Sequence, residues 1–222
     1  MTLNEMMDRP IVEERVLNFL RHGQRDLPEE IMALKAEAAK RRVPVIPYET
    51  AVFLDFLLAL KKPQRLLEVG TAIGYSAMLM ALNHPERQVE TIERNPKMAK
   101  EAKERIRAAG LGEQITLHFG DAKDQLQELH GPYDFIFLDS AKASYIAFLP
   151  HCLKLLAPGG LIMLDDVFQA GTVFLDRRDI PRRVRRIHDG LVNLRTWVAA
   201  QPDLISTYLP LGDGVLLLQR KE

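Results

Sequence analysis

Five short apolar runs, at 65–69, 88–92, 115–119, 133–138 and 161–164, alternate with stretches of helical spacing near 75–83, 96–109, 122–129 and 144–156. Strands separated by whole helices cannot pair as hairpins, so this alternation predicts a parallel, doubly wound α/β sheet with right-handed crossovers. Pro158-Gly159-Gly160 reads as the turn that delivers the fifth strand. The end departs from the pattern. A long helix from about Pro181 to Ala200 precedes Leu204–Leu209, and Pro210-Leu211-Gly212-Asp213-Gly214 leads on to Val215–Leu218. That short Gly-rich connection predicts a hairpin and an antiparallel last strand. Ahead of the alternation, helical spacing at 11–20 and 29–41 predicts two helices outside the repeating part. Val43-Pro44-Val45-Ile46-Pro47 is extended because of its two prolines, and a third helix then runs from about Tyr48 to Leu60. Its apolar face, Val52, Phe53, Phe56, Leu57 and Leu60, is expected to pack on the sheet.

The 222 residues contain no segment that reads as a linker, so one domain is expected over 1–222, with helices in 1–60 packed on a core of 61–222. The 30 basic and 30 acidic residues cancel, so whole-chain charge predicts no polyanionic partner. Cys152 is the only cysteine, which rules out an intrachain disulfide and points to a reducing compartment. Met1 to Pro10 carries Glu5, Asp8 and Arg9 with no apolar centre, unlike a signal peptide, and no uncharged apolar run approaches the roughly 18 residues of a membrane span. A soluble, cytoplasmic protein is expected.

The first strand ends at Glu68-Val69 and breaks into Gly70-Thr71-Ala72-Ile73-Gly74 before a helix opens at Tyr75-Ser76. Such a turn points unpaired helix amides at the crevice above the strand ends, a natural place for a nucleotide-like ligand. Ala72 stands where the dinucleotide fingerprint has its second glycine, so glycine spacing alone is weak evidence. Glu93 strengthens it, because an acid at the end of the next strand can accept both ribose hydroxyls. Asp121, at the third strand end, either binds an adenine amino group or caps the following helix. Asp139 ends the fourth strand and Asp165-Asp166 the fifth; as neighbours these strands bring three acids together. One strand-end aspartate is explained equally well as a helix cap, whereas three clustered carboxylates repel one another without a cation. An all-oxygen set suits a hard divalent ion, Mg²⁺ first and Mn²⁺ or Ca²⁺ next.

The run Leu-Glu-Val-Gly-Thr-Ala-Ile-Gly-Tyr-Ser at 67–76, then Thr-Ile-Glu-Arg at 91–94, Gly-Asp-Ala at 120–122, Phe-Leu-Asp-Ser-Ala-Lys at 137–142 and Leu-Asp-Asp-Val at 164–167 resembles the S-adenosylmethionine-dependent O-methyltransferases. Within them it is most similar to the metal-dependent group that includes catechol and caffeoyl-coenzyme A O-methyltransferases. The likeness runs from about Val43 to Arg220 with the motifs in order. It implies a Rossmann-like class I methyltransferase fold, a doubly wound seven-stranded sheet with its last strand antiparallel and extra N-terminal helices. It also implies a cofactor site in which Gly70, Tyr75 and Ser76 hold the amino-acid end of S-adenosylmethionine, Glu68 supports that end and Val45 closes over it. Glu93 takes the ribose, Asp121 and Ala122 the adenine, and Asp139 borders both cofactor and metal. Lys142 matches the lysine of the catalytic site, beside Asp139, as a base or charge stabiliser. Asp139, Asp165 and Asp166 are the implied metal ligands; Asp166 departs from the asparagine common at its position. The N-terminal helices point to a homodimer.

For the acceptor, residues 177–195 hold seven arginines against Asp179 and Asp189, a net of +5 that leaves −5 on the rest of the chain. Val184, Ile187, Leu191, Leu194 and Val198 share a helical face, which sets Arg182, Arg185 and Arg186, with Arg183 beside them, toward solvent. Such arginines grip phosphates, or they form a plain solvated face or pair with a second subunit. The double arginine after Pro181, the Val-Pro-Val lead-in and the Thr-Ala-Ile-Gly-Tyr-Ser turn resemble the bacterial tRNA 5-hydroxyuridine methyltransferases. That resemblance implies 5-hydroxyuridine at the wobble position of a tRNA anticodon loop as acceptor, methylated to 5-methoxyuridine. A small catechol-like phenol is the alternative, and a non-catalytic cofactor- or RNA-binding protein a second one.

Overall fold

The structure, a computed structural model, describes residues 12–221; Met1–Ile11, and with them the expectation about the first residues, lie outside that range. The elements in order are α1 (Glu14–His22), α2 (Glu29–Arg41), α3 (Tyr48–Lys61), β1 (Arg65–Val69), α4 (Tyr75–Ala81), β2 (Gln88–Glu93), α5 (Pro96–Ala108), β3 (Ile115–Phe119), α6 (Ala122–Glu128), β4 (Tyr133–Leu138), α7 (Tyr145–Leu155), β5 (Leu156–Leu164), α8 (Arg185–Ala199), β6 (Leu204–Leu209) and β7 (Val215–Arg220). They build one seven-stranded sheet of order β3-β2-β1-β4-β5-β7-β6. Strands β1 to β5 pair in parallel, and β7 runs antiparallel between β5 and β6, as the hairpin signal required. Chain order reverses between β1 and β4, which opens the crevice above their carboxyl ends.

Strand residues alternate between two cores because successive side chains leave opposite faces of the pleat. Leu66, Phe135, Phe137 and Met163 pack against α2, α3 and α4. Leu67, Ile136, Leu138 and Leu164 pack against α7 and α8. Helix α2 is also held to α5 by Arg105, which donates to Glu37 at 2.9 Å and to Glu101 at 3.1 Å. No helix among the described residues is long and apolar enough to cross a membrane.

Two expectations need correction. On α3, Phe56 and Leu60 are exposed, and the buried side is Tyr48, Ala51, Val52, Leu54, Leu57 and Leu58. That helix is apolar around most of its circumference, so its periodicity could not choose a face. Pro158-Gly159-Gly160 does not precede the fifth strand but lies inside it. Leu156 already pairs with Tyr133, and the register jumps to Leu161 opposite Phe135. The segment loops out where Gly159 takes φ of 69°.

Arg87, 1% exposed, links two helix ends: its Nη1 donates to Met80 O at 2.9 Å and its Nη2 to Leu58 O at 3.2 Å. Burial holds this guanidinium below its ordinary pKa. Replacing it with methionine keeps the packing stem but removes a charged donor from each carbonyl; Leu58 O keeps only its bond from Lys62 N–H, and Met80 O loses its side-chain donor. Arg87→Met is expected to lower the urea unfolding free energy by about 1–3 kcal/mol; an unchanged midpoint and slope would show that the two bonds contribute nothing.

Candidate active site

A cleft of about 1200 Å³ runs along the carboxyl edge of the sheet, room for a nucleoside-sized cofactor and a second molecule beside it. Its floor is the turn after β1. Gly70 takes φ of 109°, and a Cβ there would sit 1.9 Å from Asp139 O, so only glycine lets the turn lie against the end of β4. Ala72 is also left-handed at φ 45°, and its N–H donates to Glu93 Oε2 at 2.9 Å. Asn95 N–H holds the other oxygen at 2.7 Å, so Glu93 is fixed from both sides at the cleft wall.

Tyr75 and Ser76 open α4 and border the cleft; the Tyr75 hydroxyl is buried with no hydrogen-bond partner among the described residues. Glu68 is wholly buried beneath them. Its Oε2 accepts a 2.5 Å bond from Thr91 Oγ1, which also meets Thr71 Oγ1 at 2.5 Å, while its Oε1 has no partner among the described residues. Burial pushes the Glu68 carboxyl up to about 7 against hydrogen bonds from Ser76 and Thr91. Asp121 caps α6 through Lys123 N–H at 2.9 Å and also borders the cleft with Ala122, so its two readings are compatible. Val45 lines the opposite wall.

At the other end of the cleft Asp139, Asp165 and Asp166 bring carboxylate oxygens within 4.8 Å of one another. The sheet puts them there: Asp139 N–H donates to Val69 O and Asp165 N–H to Leu138 O, both at 3.0 Å, extending the β1–β4–β5 ladder one step past the strands. Tyr145, which the motif reading did not single out, locks that step. Its buried hydroxyl donates to Asp165 O at 3.1 Å, lies 3.3 Å from Leu138 O and accepts from Ser140 N–H at 3.3 Å. Burial first, and the Asp166 charge second, raise Asp139 to about 7 and push Asp165 well up. Lys142 Nζ stands 2.6 Å from Asp166 Oδ2. An unpartnered, buried Asp165 Oδ1 within an all-carboxylate set is the donor chemistry of a hard divalent cation, so these residues fit one. Asp213, whose Gly-flanked position read only as a turn, also borders the cleft and is 2% exposed.

The arginines separate. Arg185 Nε donates to Ile180 O at 2.8 Å, Arg177 pairs with Asp189 and Arg178 with Asp176, so all three are held by partners within 176–189. Arg182, Arg183 and Arg186 are exposed, and Arg186 alone of the three borders the cleft. Arg185 is therefore not placed to reach a ligand as expected, because it closes the turns before α8.

A family model described as O-methyltransferase matches residues 22–221. Caffeoyl-CoA O-methyltransferase 2 of Populus trichocarpa is 31% identical over 204 residues, covering 87% of this chain and 82% of that protein. A catechol O-methyltransferase of Niastella koreensis is 37% identical over 143 residues, 62% of this chain and 64% of its own. The crystal structure of the SAH-bound methyltransferase PaMTH1 of Podospora anserina matches with a TM-score of 0.85 at 25% identity, covering 96% of this chain and 98% of that one.

A pH dependence follows from Glu68. Its folded value, about 7, lies above the ordinary 4.5, so the folded chain keeps this proton longer than the unfolded one. The associated stability is full below about pH 4.5 and is lost as pH rises through about 7. Relative to the parent, Glu68→Gln should gain on the order of 2 kcal/mol in unfolding free energy between pH 5 and 8, measured without added metal. A difference that stays constant with pH would show that Glu68 titrates normally.

Proposed function

The chain belongs to the O-methyltransferase family, and from that membership we propose that it transfers the methyl group of S-adenosylmethionine to a hydroxyl standing beside a second oxygen, as on a catechol-like phenol. The observation that carries this is the juxtaposition of two half-sites in one cleft: the turn of Gly70, Tyr75, Ser76 and Glu93, and the cluster of Asp139, Asp165 and Asp166 with Lys142. SAH bound to a structurally similar methyltransferase supports the cofactor. Caffeoyl-CoA and catechol O-methyltransferases among the relatives support a phenolic acceptor.

In this reading the unpartnered Tyr75 hydroxyl and Ser76 take the amino-acid end of the cofactor, and Glu93, its two oxygens already oriented by Ala72 and Asn95, takes the ribose. S-adenosylmethionine supplies an electrophilic methyl group, and a divalent ion supplies a charge that acidifies the acceptor hydroxyl and selects paired oxygens. Asp139, Asp165 and Asp166 would hold that ion. Lys142 Nζ, kept in place by Asp166, steadies the acceptor oxyanion once its proton has passed to solvent at the cleft mouth. The walls formed by Val45 and by the 139–143 segment exclude water and align the two reactants, which supplies much of the rate.

A second reading rests on Arg182, Arg183 and Arg186, exposed at the start of α8 and without a partner among the described residues. They suit the phosphates of a tRNA anticodon loop carrying 5-hydroxyuridine, whose hydroxyl also lies beside an oxygen. The relatives favour the phenol.

Incubation with labelled S-adenosylmethionine and either a catechol or tRNA lacking the methoxy mark separates the two. Labelled catechol, abolished by chelation and reduced about 10²–10⁴-fold in kcat by Lys142→Met, is the expected result. Formation of 5-methoxyuridine without catechol turnover, together with loss of tRNA use in Arg182→Glu/Arg186→Glu, would transfer the assignment to tRNA. Transfer that survives both chelation and Asp139→Ala would overturn the role given to the acids.

A further inference from the structure

Asp166 does not stand on a strand. It follows β5 at the start of a loop whose backbone is forced: Asp166, Gln169 and Ala170 take φ of 58°, 47° and 51°, and Gly171 takes 78°. Side chains rarely take this left-handed region, so three non-glycine residues there within five positions persist only if neighbouring structure holds them. The hold comes from the bend between β6 and β7. Val167 N–H donates to Gly214 O at 3.0 Å, Phe168 N–H to Asp213 O at 2.9 Å, and Ala170 N–H to Asp213 Oδ1 at 2.5 Å.

The bend is itself wedged. A Cβ on Gly214 would lie 2.3 Å from the Phe168 ring, and one on Gly212 would lie 2.9 Å from Pro47 Cγ. The bend therefore sits with no room for a side chain at either glycine, between the loop and the start of α3. The second oxygen of Asp213 is buried without a hydrogen-bond partner among the described residues, so Ala170 N–H is the one hydrogen bond its carboxyl group is seen to accept. A carboxylate carrying that desolvation cost in exchange for one loop amide is there to fix the loop.

We propose that Asp213 is a positioning residue: its carboxylate clamps the strained 166–171 loop and so aims Asp166 at the position shared with Asp139 and Asp165. The proposal rests on reading those three acids as a cation site. A residue acting through the path of a ligating side chain affects cation affinity while leaving the far half of the cleft alone. The cofactor half, built by Gly70, Tyr75 and Glu93, takes no bond from this loop.

The test compares the parent with Asp213→Ala and Asp213→Asn, the latter keeping an oxygen for Ala170 N–H. Three measurements are made: Mn²⁺ affinity by calorimetry, S-adenosylhomocysteine affinity, and amide hydrogen exchange over 166–171. For Asp213→Ala we expect exchange at Ala170 at least about tenfold faster, Mn²⁺ binding about 10–100-fold weaker, and S-adenosylhomocysteine binding within about twofold of the parent. Asp213→Asn should restore most of the Mn²⁺ affinity and the slow exchange. Unchanged exchange in Asp213→Ala overturns the clamp, as does equal loss of both ligands, which marks general unfolding. Asp213→Asn losing as much Mn²⁺ affinity as Asp213→Ala with the loop still protected also overturns it, and makes Asp213 a ligand instead. A parent that binds no Mn²⁺ overturns the cation site itself, while the exchange result still reports on the clamp.

Discussion

Three carboxylates gathered at one strand edge, two of them pressed against the protein interior, are the constraint around which this structure is arranged. Coulomb repulsion and lost hydration both oppose the charged forms of Asp139 and Asp165, and the ammonium of Lys142 faces the third acid, Asp166. Such an arrangement is tolerable only if the backbone that carries it cannot relax. The sheet order makes β4 and β5 neighbours, the ladder continues past both strand ends, and the Tyr145 hydroxyl ties the two ends together.

The same rigidity ties the two halves of the cleft to one wall. Gly70 lies so close to the Asp139 carbonyl that the turn after β1 and the acidic cluster share backbone contact. Beneath the turn, Glu68, Thr91 and Thr71 form a short buried chain of hydrogen bonds, which sets the β1 and β2 ends relative to each other. A ligand in either half therefore meets atoms positioned by the other, the kind of preorganisation that alignment-driven methyl transfer needs.

The strand–helix alternation was legible because a doubly wound sheet repeats one rule. β3 and β4 have the bounds that their apolar runs suggest, and Tyr75 opens α4 directly after its glycine. What stayed hidden depends on tertiary contacts. Helix α3 is apolar around most of its circumference, so only the structure shows that Phe56 and Leu60 face outward. Tyr145 carries no motif; the only signal was its place three residues after Lys142, as Lys142 follows Asp139. Asp213 was visible as an acid between two glycines, but a turn explains glycines without requiring the acid to hold another loop. The site acids were legible because strand ends are where a parallel sheet presents chemistry.

Counting charge along a segment overstates how much of it faces a partner. The net of +5 over 177–195 includes Arg177 and Arg178, paired with Asp189 and Asp176, Arg185, which caps carbonyls of its own turn, and Arg195, whose guanidinium lies 4.9 Å over the Phe174 ring. Their charge is compensated or their geometry committed, and a phosphate would have to displace an existing bond to reach Arg177, Arg178 or Arg185. The basic surface that remains is Arg182, Arg183 and Arg186, compressed into the first turns around the start of α8, with one of them at the cleft mouth. A long anionic acceptor would thus be gripped at one side of the entrance, with its reacting base reaching inward past Arg186 and Ile187. A small phenol would pass the same mouth without touching the exposed pair, Arg182 and Arg183. The two acceptor classes therefore place different demands on three side chains while making the same demand on the acids within.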